Sequence, residues 1–369
     1  FQKIKSIRFD TLHWLSFLFF GMYLIGLFKS IDLSLAWQSV EVKLGFILFP
    51  ILFATENYLN EYNRNKLLLF FSLSALASIS YAFYCSYQEN HLDGYSAIVF
   101  RMNLSKAIMH PGYYSNYFAW ALTWCVLYVI ALKRGKLFFA FPLLFFSACF
   151  SLALIWLVSK TAILYCLFFA CYVLWLLSVY IKPLLLRIGI FLFLGFSVFY
   201  VATKVPSIKS RLAESNTDYS KIDTSITISN STGSRIIAWR EAWGLIKQKP
   251  LLGYGTGNAN LFLKKKLTQH GYIQLANYPM HVHNQLLTTW LSIGILGLLL
   301  LLILIIYCAR IFLLRDDRLG FCLMPFLFLN ILTDDMLEIQ AGIVFLLFFM
   351  YLLFYAPKSL PSKTQVINL

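Results

Sequence analysis

The sequence predicts an all-α polytopic membrane protein. Of its 369 residues 60% are hydrophobic, and the mean hydropathy is +0.71. Together these exclude an ordinary soluble domain. Apolar runs of about 20 residues, the length that crosses a bilayer's hydrocarbon core, recur along the whole chain.

The chain opens at Phe1 on a basic, polar segment, QKIKSIRFD, with no cleavable signal peptide in view. That start points to residues missing ahead of Phe1 rather than to processing. Ten spans follow, at 11–28, 36–54, 67–88, 112–132, 137–157, 161–181, 188–204, 284–309, 319–333 and 337–356. One set of connectors holds Lys3/Lys5/Arg8, Arg64/Lys66, Lys133/Arg134/Lys136, Lys182/Arg187, Arg310/Arg315/Arg318 and Lys358/Lys363. The short connectors of the other set carry far fewer basic residues. By the positive-inside rule both termini are cytoplasmic, a parity that ten spans satisfy. The expected organisation is an N-terminal bundle over 1–204, a large periplasmic loop over 205–283 and C-terminal spans over 284–369.

A net charge of +15 raises the question of nucleic acid. The alternation of the connectors accounts for much of that charge, and no nucleic-acid partner is expected. Seven cysteines (Cys85, Cys125, Cys149, Cys166, Cys171, Cys308 and Cys322) lie in apolar runs. They show neither metal-ligand spacing nor a disulfide framework, and read as small buried hydrophobes. No metal or other cofactor is expected.

The long loop holds ten Lys/Arg against four acids (Glu214, Asp218, Asp223 and Glu241). Long translocated loops escape the positive-inside rule, so this excess calls for another cause: an anionic ligand, or simple solvation near anionic headgroups. Residues 207–230 are rich in Ser, Thr, Asp and Asn and read as irregular. Ser231 or Thr232 can then cap a helix that places Arg235, Trp239 and Trp243 on one face. Those tryptophans read as packing onto the bundle or the membrane interface rather than as sugar stacking. Lys249-Pro250 ends the helix, and Gly253-Tyr254-Gly255-Thr256-Gly257 makes a tight, backbone-exposed turn. With no strand before it, that turn is no nucleotide fingerprint.

Other unusual polar residues collect on the same outer side: Arg101, Lys106 and His110, then Lys160 in a hairpin, then Asp334, Asp335 and Glu338 between the last two spans. The midplane of nearly every span is free of charge, which counts against an ion-coupled transporter. In the stretch His281-Val-His283-Asn284 a helix emerges after Pro279. Its dipole and free N–H groups favour anions and a neutral imidazole, the state a general base requires. A helix-capping, interface-seeking His is the alternative.

These features together resemble the O-antigen ligase/polymerase superfamily. Many spans, one large late loop, and an Arg…Trp…Pro…Gly-x-Gly run (Arg235, Trp239, Pro250, Gly253/Gly255) precede a His-x-His-Asn motif that opens the next span. Ser159-Lys160-Thr161 stands where that family usually has a Ser-Arg pair, and Lys replaces a bidentate fork with a point charge. The resemblance covers most of residues 110–345 and is densest over 231–297.

It implies a metal-independent, inverting glycosyltransferase of the bacterial inner membrane, facing the periplasm. Such an enzyme moves a glycan from undecaprenyl diphosphate to a sugar hydroxyl of lipid A–core. By carry-over His283 is the base, Arg235 holds the diphosphate and Lys160 is a second diphosphate contact. His281, Asn284, Arg101, His110 and Arg240 are the implied substrate-binding residues. Membrane lipids surround the protein. The family's ligases usually have more than ten spans, so two would precede Phe1. A polymerase of the same superfamily and a transporter for the lipid-linked glycan remain the alternatives.

Overall fold

The computed structural model of the chain describes residues 9–54, 59–89, 111–132, 138–157, 159–178, 188–189, 231–277 and 281–356. Regular structure among them is helical, as a hydrocarbon solvent demands: it offers backbone N–H and C=O groups no partner outside the segment. The helices are α1 (Thr11–Gly26), α2 (Leu33–Val42), α3 (Gly45–Ala54), α4 (Glu61–Glu89), α5 (Pro111–Ala131), α6 (Ala140–Leu157) and α7 (Lys160–Ser178). After them come α8 (Ser231–Gln248), α9 (Ala259–Gln269), α10 (Ile273–Asn277), α11 (Gln285–Leu314), α12 (Arg318–Thr333) and α13 (Gln340–Tyr355). A 3-10 turn, Met336–Glu338, joins the last two.

Six helical stretches among the described residues have the length and apolarity of a span: Thr11–Lys29, Leu33–Ala54, Glu61–Cys85, Ala140–Leu157, Lys160–Ser178 and Gln285–Leu314. The expected spans at 319–333 and 337–356 are shorter apolar helices, α12 and α13. The expected span at 112–132 is α5, in which Tyr, Trp, Ser and Asn dilute the aliphatic residues. The expected span at 188–204 lies outside the described residues except for 188–189.

The second span departs from the expectation of charge-free interiors. Its helix breaks between Val42 and Gly45, and Lys43 is fully buried at the break. The Lys43 Nζ donates to Glu338 Oε2 at 2.6 Å and to Ser39 Oγ at 3.1 Å, and it lies 4.7 Å from the Tyr23 ring centroid. An unpaired ammonium there would be costly, so the carboxylate is what makes the position tolerable. The absence of charge inside spans therefore cannot serve as an argument against transport.

The chain divides into two compact units. The first takes α1–α3, α8–α11, α13 and the part of α12 from Phe326 onward. In it Asp10 caps α1 through Leu12 N–H at 2.9 Å, and Ser16 Oγ meets Tyr351 OH at 2.8 Å. Gly45 lets α3 approach α13, since a Cβ there would stand 2.6 Å from Ile343. The second unit takes α4–α7 and Arg315–Pro325. There Phe118 stacks on Phe150 at 6.1 Å, Thr123 Oγ1 meets Tyr165 OH at 2.8 Å, and Phe321 packs on Tyr172 at 4.9 Å.

Candidate active site

The candidate site is built from the helices over 231–277 and the N-terminal end of α11, all within the first unit. The helix α8 runs from Ser231 to Gln248. It buries Ile237, Ala238, Ala242 and Leu245 in a small core shared with α9, α10 and Val282, and Trp239 packs against that core. Trp243 meets Trp290 edge to face at 5.5 Å, and Lys249-Pro250 follows the last helical residue, Gln248. Both tryptophans thus serve packing, as their spacing suggested.

The glycine turn does something the sequence did not disclose. Its amides are spent on protein: Tyr254 N–H donates to the Leu291 carbonyl at 2.8 Å and Gly255 N–H to that of Ser292 at 2.9 Å. Those carbonyls are available because α11 breaks at Gly294, whose φ is 75° and ψ −173°, a region essentially restricted to glycine. Ile295 N–H in turn donates to the Pro250 carbonyl at 3.0 Å. The turn therefore plugs the break in α11 and is not an open cradle of backbone donors for an anion. Thr256 Oγ1 then donates to the Tyr23 carbonyl at 2.6 Å and Asn258 Nδ2 to that of Lys29 at 3.2 Å, sewing the loop to the end of α1.

Val282 is fully buried and anchors the motif, with the two histidines on either side of it. His281 Nδ1 lies 2.9 Å from Asn260 Nδ2, and the two imidazole rings are 6.1 Å apart. Asn284 caps α11 through its Oδ1, which accepts from Leu286 N–H at 3.0 Å and Leu287 N–H at 3.2 Å. His283 therefore precedes the cap and lies outside the first turn. Its φ is +53°, a left-handed conformation that costs a non-glycine residue about 1–3 kcal/mol. Asp335 holds it there by accepting from His283 N–H at 2.9 Å, Asn284 N–H at 3.0 Å and Thr288 Oγ1 at 2.7 Å.

The turn presents the His283 ring to Asp334, with Nδ1 3.4 Å from Oδ1. A carboxylate at Nδ1 fixes the tautomer with its proton on that side and leaves Nε2 as the acceptor. Burial pushes the Asp334 carboxyl up, but the His283 hydrogen bond and charge, the Asp335 N–H and the Arg235 charge outweigh it and hold the carboxyl below its usual value. Asp335 moves the other way: burial, with the nearby Glu338 charge adding to it, raises it above its usual value despite the Thr288 hydrogen bond. The two neighbouring acids are thus differentiated, one kept ionised and one poised as a structural acceptor. Below them, Glu338 accepts from Lys43 and, through Oε1, from Gln285 Nε2 at 3.2 Å.

Among the residues singled out from sequence, His283, His281 and Asn284 come together around the start of α11 and Asp334, and the Arg235 charge acts on Asp334. Arg240 is turned elsewhere. Five residues on from Arg235, it projects about 140° around the helix. There it donates to Tyr272 OH at 2.5 Å and to Glu241 Oε1 at 3.2 Å. Lys160 is the first residue of α7 and belongs to the second unit. Arg101 and His110 lie outside the described residues. What sequence reasoning missed is the pairing of the histidine motif with Asp334 and Asp335, and of Lys43 with Glu338. The one available signal was three acids crowded between two apolar runs.

Residues 144–302 match a family model described as O-Antigen ligase. The matched stretch is thus similar to the O-antigen ligase family. Members of this family are membrane glycosyltransferase-like enzymes, ligases and polymerases, that act on lipid-linked glycans and lipid acceptors. The match takes in Lys160, Arg235, the glycine turn and both histidines, and it ends before Asp334 and Asp335. No curated protein matches the chain.

Proposed function

We propose that this protein is a glycosyltransferase of the O-antigen ligase type, working at the periplasmic face of the bacterial inner membrane. It moves a glycan from undecaprenyl diphosphate to a sugar hydroxyl of lipid A–core. The observation that carries this reading is the His283–Asp334 pair, set on a strained turn whose amides Asp335 holds, with the Arg235 charge felt at the same carboxylate.

In the proposed step, His283 Nε2 takes the proton of the acceptor hydroxyl as its oxygen bonds to the anomeric carbon. The bond from that carbon to the diphosphate oxygen breaks, and the diphosphate leaves with the electron pair. One displacement inverts the anomeric centre. Asp334 orients the ring and stabilises the imidazolium that forms, as the carboxylate does in hydrolase triads. Arg235 stabilises charge that grows on the departing oxygen, where a preorganised cation acts most strongly. Lys160 enters the proposal through the family resemblance alone, as a further diphosphate contact.

The buried Lys43–Glu338 pair at a broken span favours a second reading, a transporter of the same lipid-linked glycan, since such features line transport paths. Proteoliposomes holding a defined undecaprenyl-diphosphate glycan and lipid A–core separate the readings. Core-linked product is expected. Lengthened lipid-linked glycan would indicate a polymerase, and movement of intact donor without product would indicate transport.

A further inference from the structure

A cavity of about 680 Å³ opens within the first unit, between α2, α9 and the first turns of α11. Its polar walls are Gln38, Ser39, Asn260, Asn277, His281 and Thr288. We propose that this cavity seats a neutral sugar ring of the acceptor glycan, with Asn260 and His281 as its recognition pair. The inference rests on the glycosyl-transfer reading and deepens it.

The chemistry of the walls selects the ligand. Amides and hydroxyls both donate and accept, and side-chain amides match the vicinal hydroxyls of a sugar. The one acid among the described residues of the cavity, Glu338, already holds the Lys43 ammonium at 2.6 Å, so the pair presents little net charge. Lys264 touches the cavity from the exposed side of α9, and Arg235 is not part of the wall. A diphosphate would find no fitting partner deep inside, whereas an uncharged ring would.

Asn260 supplies an independent observation. Its Nδ2 faces His281 Nδ1 at 2.9 Å, while its Oδ1 is buried and accepts no hydrogen bond. Turning the amide over would satisfy the oxygen and strand the nitrogen instead. Either way one polar end of the amide, closed to solvent, lacks a protein partner among the described residues. Such a group is costly enough to need a reason, and a small rotation of the side chain would offer it to a ligand. Position agrees as well. The cavity reaches Ser292, the eighth residue of α11, about 12 Å along the helix. The ring of His283 lies 6.1 Å from that of His281, so a hydroxyl on a sugar seated against His281 comes next to the base.

The test uses Asn260→Ala and the exposed-site variant Gln38→Ala, in steady-state transfer and in saturation-transfer NMR with core oligosaccharide released from its lipid. Both variants are expected to raise the acceptor KM about tenfold, the loss of roughly one hydrogen bond, with donor KM and kcat nearly unchanged. Wild type is expected to show oligosaccharide contacts that Asn260→Ala loses. A raised donor KM with unchanged acceptor KM would overturn the proposal, as would oligosaccharide binding that neither variant affects. The NMR arm needs no turnover. Absence of transfer by wild type would instead refute the glycosyl-transfer reading itself.

Discussion

The backbone N–H of His283 donates to one oxygen of Asp335 at 2.9 Å while the next N–H, that of Asn284, donates to the other at 3.0 Å. One carboxylate thus grips two successive amides and holds the left-handed turn on which the candidate base sits. Asp335→Ala strands both amides and the Thr288 hydroxyl, each at roughly 1–3 kcal/mol if it stays buried and unpaired. Thermal unfolding in detergent is expected to show a clearly lowered Tm, with transfer lost alongside. An unchanged Tm would mean that the turn holds itself.

Asp334 should leave a signature in acid. Its folded carboxyl lies below the ordinary value of 3.8, so between 3.8 and that lowered value the unfolded chain binds more protons than the folded one. Stability from Asp334 is complete above this window and is lost as pH falls through it. The Tm difference between wild type and Asp334→Asn is expected to stay constant from neutral pH to about 5 and to shrink below about 4. A difference that widens on acidification would contradict the assignment.

How much of this was legible beforehand depends on the range of each interaction. Helices such as α1 and α11 could be read because an apolar run announces itself within its own segment. The His281–Asn284 motif could be read because its residues are adjacent. The partners could not: Asp334 and Asp335 meet His283 across some fifty residues, and Lys43 meets Glu338 across nearly three hundred. Pairing over such separations leaves no local pattern. The glycine turn misled for a related reason, since its amides are answered by carbonyls that only the break at Gly294 exposes.

That break gives a sharp structural expectation. A Cβ at Gly294 would stand 2.1 Å from the Leu251 carbonyl oxygen, with φ at +75°. Gly294→Ala is expected to yield little folded protein by fluorescence-detected gel filtration. At Gly244, inside α8, a Cβ meets nothing within 4 Å. Gly244→Ala is therefore expected to raise stability by up to about 1 kcal/mol, the helical penalty of glycine relative to alanine. Equal yields and Tm values for the two variants would refute this picture of the loop locked into α11.

By the family resemblance, Lys160 is proposed as a second diphosphate contact in the place of an Arg. Lys160→Arg is expected to retain most transfer, and Lys160→Ala to lose about 2–4 kcal/mol of transition-state stabilisation, as when an oxyanion donor is removed. Transfer rates on one donor at saturating acceptor read this directly. Near wild-type turnover in Lys160→Ala would leave the residue as a membrane-interface anchor.

The central claim is that His283 is the base, and the turn decides how to ask. Alanine at a φ of +53° would mix strain with lost chemistry, whereas asparagine accepts the left-handed region. The decisive measurement is single-turnover transfer by His283→Asn from a defined undecaprenyl-diphosphate glycan to lipid A–core, beside its Tm and donor affinity. Expected is a fall of about 10²–10⁴-fold in rate with Tm and donor binding kept, and a milder loss in His281→Ala. Transfer by His283→Asn within a few-fold of wild type would contradict the claim.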